Sequence, residues 1–150
     1  MMSIVRTTSA DKDFKLLVEQ LDQELWSRYG EEEAAYAPLN KIENNSTVVL
    51  AYFNQQPVGC GCFKTHDVLT AELKRMFVKP EHRGKGVGPA IINELEAWAR
   101  QLSFSRIVLE TGIKQPDAIA LYKKSGYVII PSYPPYDNME TSICMSKSLI

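Results

Sequence analysis

The sequence predicts a three-layer α+β domain in which helices cover both faces of a mixed, mostly antiparallel sheet. Two patterns give that prediction. In the first half of the chain, three strand-like runs follow one another with short turns between them, as in an antiparallel meander. In the second half, strand and helix patterns alternate, which is typical of a strand-helix-strand unit with parallel strands.

Length and composition indicate one globular domain spanning residues 1 to 150. Hydrophobic residues make up 45% of the chain and charged residues 23%, which is ordinary for a folded domain. The formal net charge of −1 gives no general attraction to nucleic acid or to a membrane surface. The chain has no signal-like stretch and no run of about 18 apolar residues, so we expect a cytoplasmic protein.

The N-terminal region is predicted to hold one strand and two helices. Residues 3 to 8 resemble a short strand, and Asp11 is a suitable N-cap for the helix that follows. Gly30 is expected to end this helix. Glu31 suits the first turn of a second, shorter helix, which Pro38 is expected to end. The first helix has apolar residues at helical spacing: Phe14, Leu17, Val18, Leu21 and Leu25.

The third strand of the meander carries unexpected charges. Glu72, Lys74 and Arg75 lie within it, although unpaired charges are rarely buried. Two interpretations are open: the charged side chains lie on an exposed face, or one face of the strand borders a wet cleft. The three strands are predicted at residues 47 to 53, 58 to 64 and 69 to 78.

A long helix and the strand-helix-strand unit complete the predicted fold. Residues 107 to 109 indicate a strand covered on both faces. Residues 116 to 124 indicate a short helix, with proline at its start and Gly126 just past its end. Residues 127 to 130 and 141 to 147 are the last predicted strands, with a Pro-rich loop between them. The long helix has one apolar stripe, formed by Val87, Ile91, Leu95, Trp98 and Leu102.

A glycine-rich loop, Arg83-Gly84-Lys85-Gly86-Val87-Gly88, precedes the long helix. Three glycines at alternate positions let the backbone turn sharply and approach a ligand closely. A helix that starts here points unpaired N–H groups at the loop, and two cations add to the positive potential, so the loop suits a phosphate. The loop lacks the Gly-Lys-Ser/Thr ending of nucleotide hydrolases, since Val87 follows Gly86, and its spacing excludes the fingerprint of dinucleotide-binding domains. An ordinary turn before a helix is the alternative.

The loop matches the pattern Arg/Gln-x-x-Gly-x-Gly/Ala, and three further segments accompany it in a fixed order: residues 72 to 80, 109 to 112 and 120 to 127. Together these four segments resemble the GCN5-related N-acetyltransferase family. The resemblance implies a sheet splayed between the strands that flank the loop, which leaves a cleft for acetyl-coenzyme A. It also implies direct acetyl transfer to a primary amine of a small molecule, without a metal or a covalent intermediate.

The same resemblance assigns cofactor contacts. Backbone N–H groups of the loop are implied to bind the pyrophosphate, at Gly84, Lys85, Gly86, Val87 and Gly88, and Arg83 matches the motif arginine. In the preceding strand, the resemblance implies that Met76, Phe77 and Val78 contact the pantetheine arm and the thioester carbonyl. One backbone N–H of these residues is implied to donate to the oxyanion. Further contacts are implied for Gln115 and for Lys123 or Lys124, although helix C-terminal charges explain the two lysines equally well.

Two side chains match positions that the family uses for proton transfer. Tyr122 is implied to protonate the coenzyme A thiolate, the alternative being a core tyrosine at helical spacing. An alkyl amine has a pKa near 10.4, so only about one molecule in 2,500 is neutral at pH 7 and a base should help. Glu72 is the candidate base, the alternative being an ion pair with Arg75 or with a neighbouring lysine.

The sequence defines the acceptor less closely. Tyr133 and Tyr136, in the Pro-rich loop, are expected to contact it together with Glu72. Nine of the 18 acidic residues lie between positions 11 and 43, which favours a cationic amine or reflects solvated helix faces. A peptide or protein acetyltransferase, acting on lysine or an N-terminus, is one alternative function. A non-catalytic acyl-coenzyme A-binding module is another, and a homodimer stays open.

The cysteines predict neither a disulfide framework nor a metal site. Their number is odd, and no secretory signal precedes them. Neither histidine lies at metal-ligand spacing from a cysteine. We therefore expect Cys60, Cys62 and Cys144 to be buried thiols without a nucleophilic role.

Overall fold

The chain folds into the predicted order of strands and helices, and the computed structural model describes all residues from 1 to 150. Two short 3-10 turns, Gly30–Glu32 and Pro80–His82, join successive elements. The elements are β1 Met2–Thr7, α1 Lys12–Tyr29, α2 Glu33–Asn40, β2 Val48–Phe53, β3 Gln56–Asp67, β4 Thr70–Val78, α3 Val87–Gln101, β5 Arg106–Gly112, α4 Pro116–Lys124, β6 Val128–Ile130 and β7 Ser142–Ser148.

The seven strands form one sheet in the order β1-β2-β3-β4-β5-β7-β6. Neighbouring strands are antiparallel except for β4 and β5, which are parallel. A parallel pair needs a crossover connection, and α3 provides it. The mixed, mostly antiparallel sheet is therefore confirmed.

β4 and β5 separate part-way along their length. Residues 70 to 73 of β4 pair with residues 106 to 109 of β5, and the pairing ends there. β4 continues to Val78 alongside β3, whereas β5 continues to Gly112 alongside β7. The sheet is thus splayed between the strands that flank the glycine-rich loop, as the family resemblance implies.

A β-bulge in β4 lies where the two strands separate. In the register with β3, Arg75 and Met76 together oppose the single residue Gly61. Arg75 has a φ of 57°, in the left-handed region that only glycine adopts freely. The bulge directs the Arg75 side chain toward α1 and the Met76 side chain toward α3, because an extra residue changes the alternation of the strand.

Apolar cores fill the space on both faces of the sheet. Gly59 of β3 allows α3 to lie directly on the strand, since a Cβ there would stand 2.8 Å from Ile91 Cδ1. The larger core lies under α3 and includes Val49, Leu73, Ile91, Leu95 and Leu109. The second core lies under α1 and includes Phe14, Leu17, Leu21, Cys60 and Cys62.

Both ends of α1 match the prediction, whereas Glu31 precedes α2 in a 3-10 turn and the end of α2 also differs. The Asp11 carboxylate accepts the backbone N–H groups of Asp13 and Phe14, as expected of an N-cap. Gly30, with a φ of 55°, follows the last residue of α1. The prediction that Pro38 ends α2 was wrong, because α2 continues to Asn40. A proline removes only one intrahelical hydrogen bond, and packing of Tyr36 on the Pro-rich loop holds this short helix in place.

Candidate active site

The separation of β4 and β5 opens a cleft of about 90 Å³. α1 and α2 close one side, and α4 closes the other. The strands supply both apolar and charged side chains to it, because Lys74 and Arg75 of β4 and Glu110 of β5 lie beyond the paired residues. Glu72, Lys74 and Arg75 are each less than 10% exposed, so the interpretation of an exposed charged face was wrong. Residues that line the cleft include Met76, Glu110, Gln115 and Tyr122.

The glycine-rich loop lies at the N-terminus of α3. Gly84 and Gly86 have φ values of 76° and 85°, which a residue with a Cβ adopts only at a cost. A Cβ at Gly88 would stand 3.0 Å from Leu121 Cδ2, so this glycine allows α3 to pack against α4. None of the backbone N–H groups of residues 84 to 88 donates to a carbonyl of the chain. These free donors, with no side chain capping the helix, form a cradle that fits the oxygens of a phosphate.

The two cations of the loop have different surroundings. Arg83 donates from Nε to the Val78 carbonyl and from Nη2 to Glu24, both at 2.8 Å. Its guanidinium also lies over the Phe77 ring. Arg83 therefore fastens the loop to β4 and α1, whereas Lys85 is exposed and forms no ion pair within the protein.

Predicted contacts of the cofactor arm lie along β4 and at the start of α4. β4 has no strand partner on its β5 side from Lys74 onward, so an extended ligand has room beside it. The Phe77 side chain packs in the core under α1, while Met76 and Val78 pack toward α3. Gln115 lines the cleft as the residue preceding α4. Lys124 is exposed in the last turn of α4 and does not line the cleft, and its contact stays a prediction.

Tyr122 projects from α4 into the cleft and is 6% exposed. Its ring packs edge-on against Tyr127, whose hydroxyl donates to Glu96 at 3.0 Å. Lys147 donates to the same carboxylate, so a buried network fixes the ring that supports Tyr122. Burial raises the pKa of Tyr122, which keeps the hydroxyl protonated at neutral pH.

Glu72 lies outside the cleft, in the half of β4 that pairs with β5. It is 4% exposed and accepts a hydrogen bond from the Tyr133 hydroxyl at 2.8 Å. Lys64 and Lys74 lie 3.7 and 3.8 Å from the carboxylate. The alternative of an ion pair with a neighbouring lysine is thus observed, while Arg75 pairs with Asp22 instead. The role of Glu72 as a base stays a prediction.

The predicted acceptor residues come together in a second groove next to the cleft. Glu72, Tyr133 and Tyr136 all line it, and its volume is about 290 Å³. Lys74 separates the groove from the cleft by donating to the Leu39 carbonyl at 2.8 Å and to the Tyr136 hydroxyl at 3.1 Å. Burial lowers the pKa of Lys74. This side chain connects β4, the end of α2 and the Pro-rich loop.

Glu110 is a cleft residue that the sequence reasoning missed. It follows the apolar part of β5, and Ser142 Oγ donates to its carboxylate at 2.7 Å. Burial raises the pKa of Glu110 from 4.5 to about 7, although the Ser142 hydrogen bond acts in the opposite direction. A signal was present in the sequence, since polar residues at the carboxyl end of a parallel strand commonly meet ligands.

The remaining reactive side chains lie away from the cleft. Cys60, Cys62 and Cys144 are buried and free, as expected, and burial raises the pKa of Cys62 to about 12. The structure contains no group of three or more His, Cys, Asp or Glu side chains arranged to hold a metal ion. No helix combines the length and the apolar character that crossing a membrane requires.

Comparisons with known proteins agree with this geometry. The family model described as "Acetyltransferase (GNAT) family" matches residues 15 to 127. A relative named IAA acetyltransferase, from Azospirillum brasilense, is 31% identical over 150 residues, which cover 99% of this chain and 98% of the relative.

Solved structures show the same fold. A protein from Klebsiella pneumoniae assigned as an acyl-CoA N-acyltransferase is 31% identical, with a TM-score of 0.83 over 100% of this chain and 99% of that one. A protein from Bacillus anthracis assigned as a streptothricin acetyltransferase, in complex with acetyl-coenzyme A, is 25% identical. Its TM-score is 0.61, over 73% of this chain and 65% of that one. The chain therefore belongs to the GNAT family of acetyltransferases and uses acetyl-coenzyme A.

Proposed function

We propose that this enzyme transfers the acetyl group to a primary amine of a small molecule. The observation that carries the proposal is the closed acceptor side of the cleft. Lys74 connects the end of α2 to the Pro-rich loop, and the Tyr36 hydroxyl contacts Thr141 and Ser142. Because these contacts join α2 to the segment before β7, the cleft does not continue as a long open groove suited to a peptide.

Residues of the loop and of β4 are assigned to the cofactor. The free N–H groups of residues 84 to 88 would bind the pyrophosphate, and Lys85 would add a charge at the same place. The unpaired edge of β4 near Met76 would bind the pantetheine arm and supply an N–H to the acyl oxygen as negative charge develops. The cofactor itself supplies an acetyl group activated as a thioester.

Proton transfer is assigned to side chains around the cleft. The amine nitrogen must lose a proton as it forms the new bond to carbon, and the sulfur that leaves must gain one. Glu110, with a pKa of about 7, is suited to accept the first proton at neutral pH. The neutral hydroxyl of Tyr122 is suited to donate the second. Glu72 stays a second candidate for the base, acting from the neighbouring groove.

An amine screen tests this function. Purified protein would be incubated with acetyl-coenzyme A and a panel of small amines, with release of the free thiol as the readout. A matched panel of lysine-containing and N-terminal peptides is the control. Turnover with small amines and at least about tenfold lower kcat/KM with peptides supports the proposal. Preferential turnover of peptides would overturn it, as would cofactor binding without turnover of any amine.

A further inference from the structure

Lys74 is the one residue that lines both the cleft and the groove. Pairing of β4 with β5 ends at Leu73 and Leu109, so Lys74 is the first residue of β4 beyond the paired segment, at the inner end of the cleft. Glu72, two residues earlier, lies on the same face of the strand and lines the groove. The boundary between the two spaces therefore lies at Lys74.

The Lys74 ammonium group joins two segments that are far from β4 in sequence. Nζ donates to the Leu39 carbonyl at 2.8 Å, near the end of α2, and to the Tyr136 hydroxyl at 3.1 Å, in the Pro-rich loop. The Glu72 carboxylate lies 3.8 Å from the same nitrogen, and only 7% of the Lys74 side chain is exposed. Because partners from three segments surround one nitrogen, the side chain forms a fixed wall between the cleft and the groove.

The two spaces differ in size and in lining. The cleft has a volume of about 90 Å³, far below the roughly 300 to 1,000 Å³ of typical small-molecule sites, whereas the groove, at about 290 Å³, is close to that range. An acceptor confined to the cleft is therefore short, whereas one that reached the groove would have room for an apolar chain or ring. The groove offers proline and tyrosine side chains to such a group: Pro38, Tyr133, Pro134, Pro135 and Tyr136.

We propose that Lys74 determines acceptor specificity by closing the inner end of the cleft, which restricts the enzyme to short primary amines. This inference rests on the proposed function, since it concerns the acceptor of the same reaction. A longer amine would have to displace Lys74 from the Leu39 carbonyl and the Tyr136 hydroxyl. Displacement would leave a buried ammonium group without its acceptors, which is unfavourable. Tyr136 acts here as a positioning residue, because its hydroxyl holds Lys74.

The competing explanation is that Lys74 only fastens α2 and the Pro-rich loop to β4. In that case, loss of its side chain lowers the stability of the protein but leaves the preference among amines unchanged. If Lys74 closes the cleft, its loss joins the cleft to the groove and raises the use of longer amines relative to shorter ones. This preference is a ratio of two rates measured on one preparation, so a difference in the active fraction cancels.

The test measures kcat/KM by thiol release for unbranched primary amines of increasing length, with and without a terminal phenyl ring. All these amines carry the same charge, so loss of the Lys74 charge affects them alike. Wild-type kcat/KM should fall once the chain outgrows the cleft. In Lys74→Ala, the ratio of long to short amines should rise about tenfold or more, since each methylene buried in the groove adds about fourfold. Lys74→Met keeps most of the side-chain length without its hydrogen bonds and should raise the ratio less, and Tyr136→Phe less again.

Lys64→Ala is the matched control. Lys64 lies 3.7 Å from the same Glu72 carboxylate and lines the groove, but it does not line the cleft. Its removal should therefore leave the ratio of long to short amines at the wild-type value. A rise in Lys64→Ala as large as that in Lys74→Ala would show that Lys74 is not the boundary and would overturn the inference.

An unchanged ratio in both Lys74→Ala and Lys74→Met, or a wild-type kcat/KM that rises with the length of the amine, would also overturn it. Calorimetric binding of the same amines in the presence of coenzyme A separates the inference from the proposed function. Longer amines that bind only when Lys74 is replaced, without turnover of any amine, would keep the inference and reject the proposed function. Turnover of small amines with one length preference in the wild type and all variants would do the reverse.

Discussion

Glu72 and Glu110 lie on adjacent strands and on the same face of the sheet, yet the two regions around them differ. Glu72 pairs in register with Val108, two residues before Glu110. In the paired half of β4, Lys64, Lys74 and the Tyr133 hydroxyl surround Glu72. In the splayed half, Glu110 has one hydroxyl donor and no cation within ion-pair distance.

This difference teaches that burial alone does not set the chemistry of a carboxyl group. Both side chains are largely removed from water, but Lys64 and Lys74 lie within 4 Å of the Glu72 carboxylate, whereas burial raises the pKa of Glu110 to about 7. Separation of the strands removes neighbours from Glu110 and opens the cleft at the same time. The residue that loses partners is therefore the one that lines the cleft.

The largest effect on turnover is expected from loss of the Tyr122 hydroxyl, the assigned proton donor. Tyr122→Phe should lower kcat about 10³-fold with little change in acetyl-coenzyme A affinity, because the hydroxyl is assigned to proton donation. Steady-state kinetics and calorimetric titration measure the two effects. Tyr127→Phe is the matched control: it removes the hydrogen bond to Glu96 and should cost about 1 to 3 kcal/mol of stability while turnover persists. A Tyr122→Phe enzyme with wild-type kcat would contradict the assignment.

Glutamine substitutions compare the two carboxyl groups directly. Glu110→Gln should lower kcat/KM about 10²-fold and remove an ionisation near pH 7 from its pH profile, because the assigned base is lost. Glu72→Gln should retain that ionisation. Rates with the preferred amine between pH 5 and 9 measure both. An ionisation lost only in Glu72→Gln would reassign the base to the groove.

The raised pKa of Glu110 predicts how the stability of the protein changes with pH. Its pKa is raised to about 7 in the folded state and is near 4.5 when unfolded, so the folded state binds more protons between these values. Its contribution to the free energy of unfolding therefore falls as pH rises from 4.5 to 7. Glu110→Gln should gain stability relative to wild type over this interval. Urea denaturation at pH 4.5 and 7.5 measures the change, and an opposite trend would reject the raised pKa.

The smallest effect is expected in the groove. Tyr133→Phe removes the hydroxyl that donates to Glu72 and should cost about 1 kcal/mol of stability. Tyr52→Phe is the control for loss of a tyrosine hydrogen bond, because the Tyr52 hydroxyl donates to Asp13 and does not line the groove. If only Tyr133→Phe also raises KM for the acceptor, the groove takes part in acceptor binding.

Helix ends and turns were predicted from the sequence, whereas the burial of charged side chains was not. The capping of α1 by Asp11 and the bounds of α4 at Pro116–Lys124 were predicted, because caps and breakers act within a few residues of themselves. The glycine loop was found in the same way. The sequence left open whether the charges of β4 lie on an exposed face or border a wet cleft. It did not predict the burial of Lys74 and Arg75, because their acceptors come from α1, α2 and the Pro-rich loop, 35 to 62 residues away.

Local patterns of glycine, proline and apolar spacing were sufficient for the order of elements, the glycine-rich loop and the family. They are sufficient because hydrogen bonds within a helix or turn join residues close in sequence. The distinction between Glu72 and Glu110, and the contacts of Lys74, arose only when distant segments packed around the splayed strands. Burial, charge and the partners of a buried group depend on distances in space, and these depend on where β4 and β5 separate.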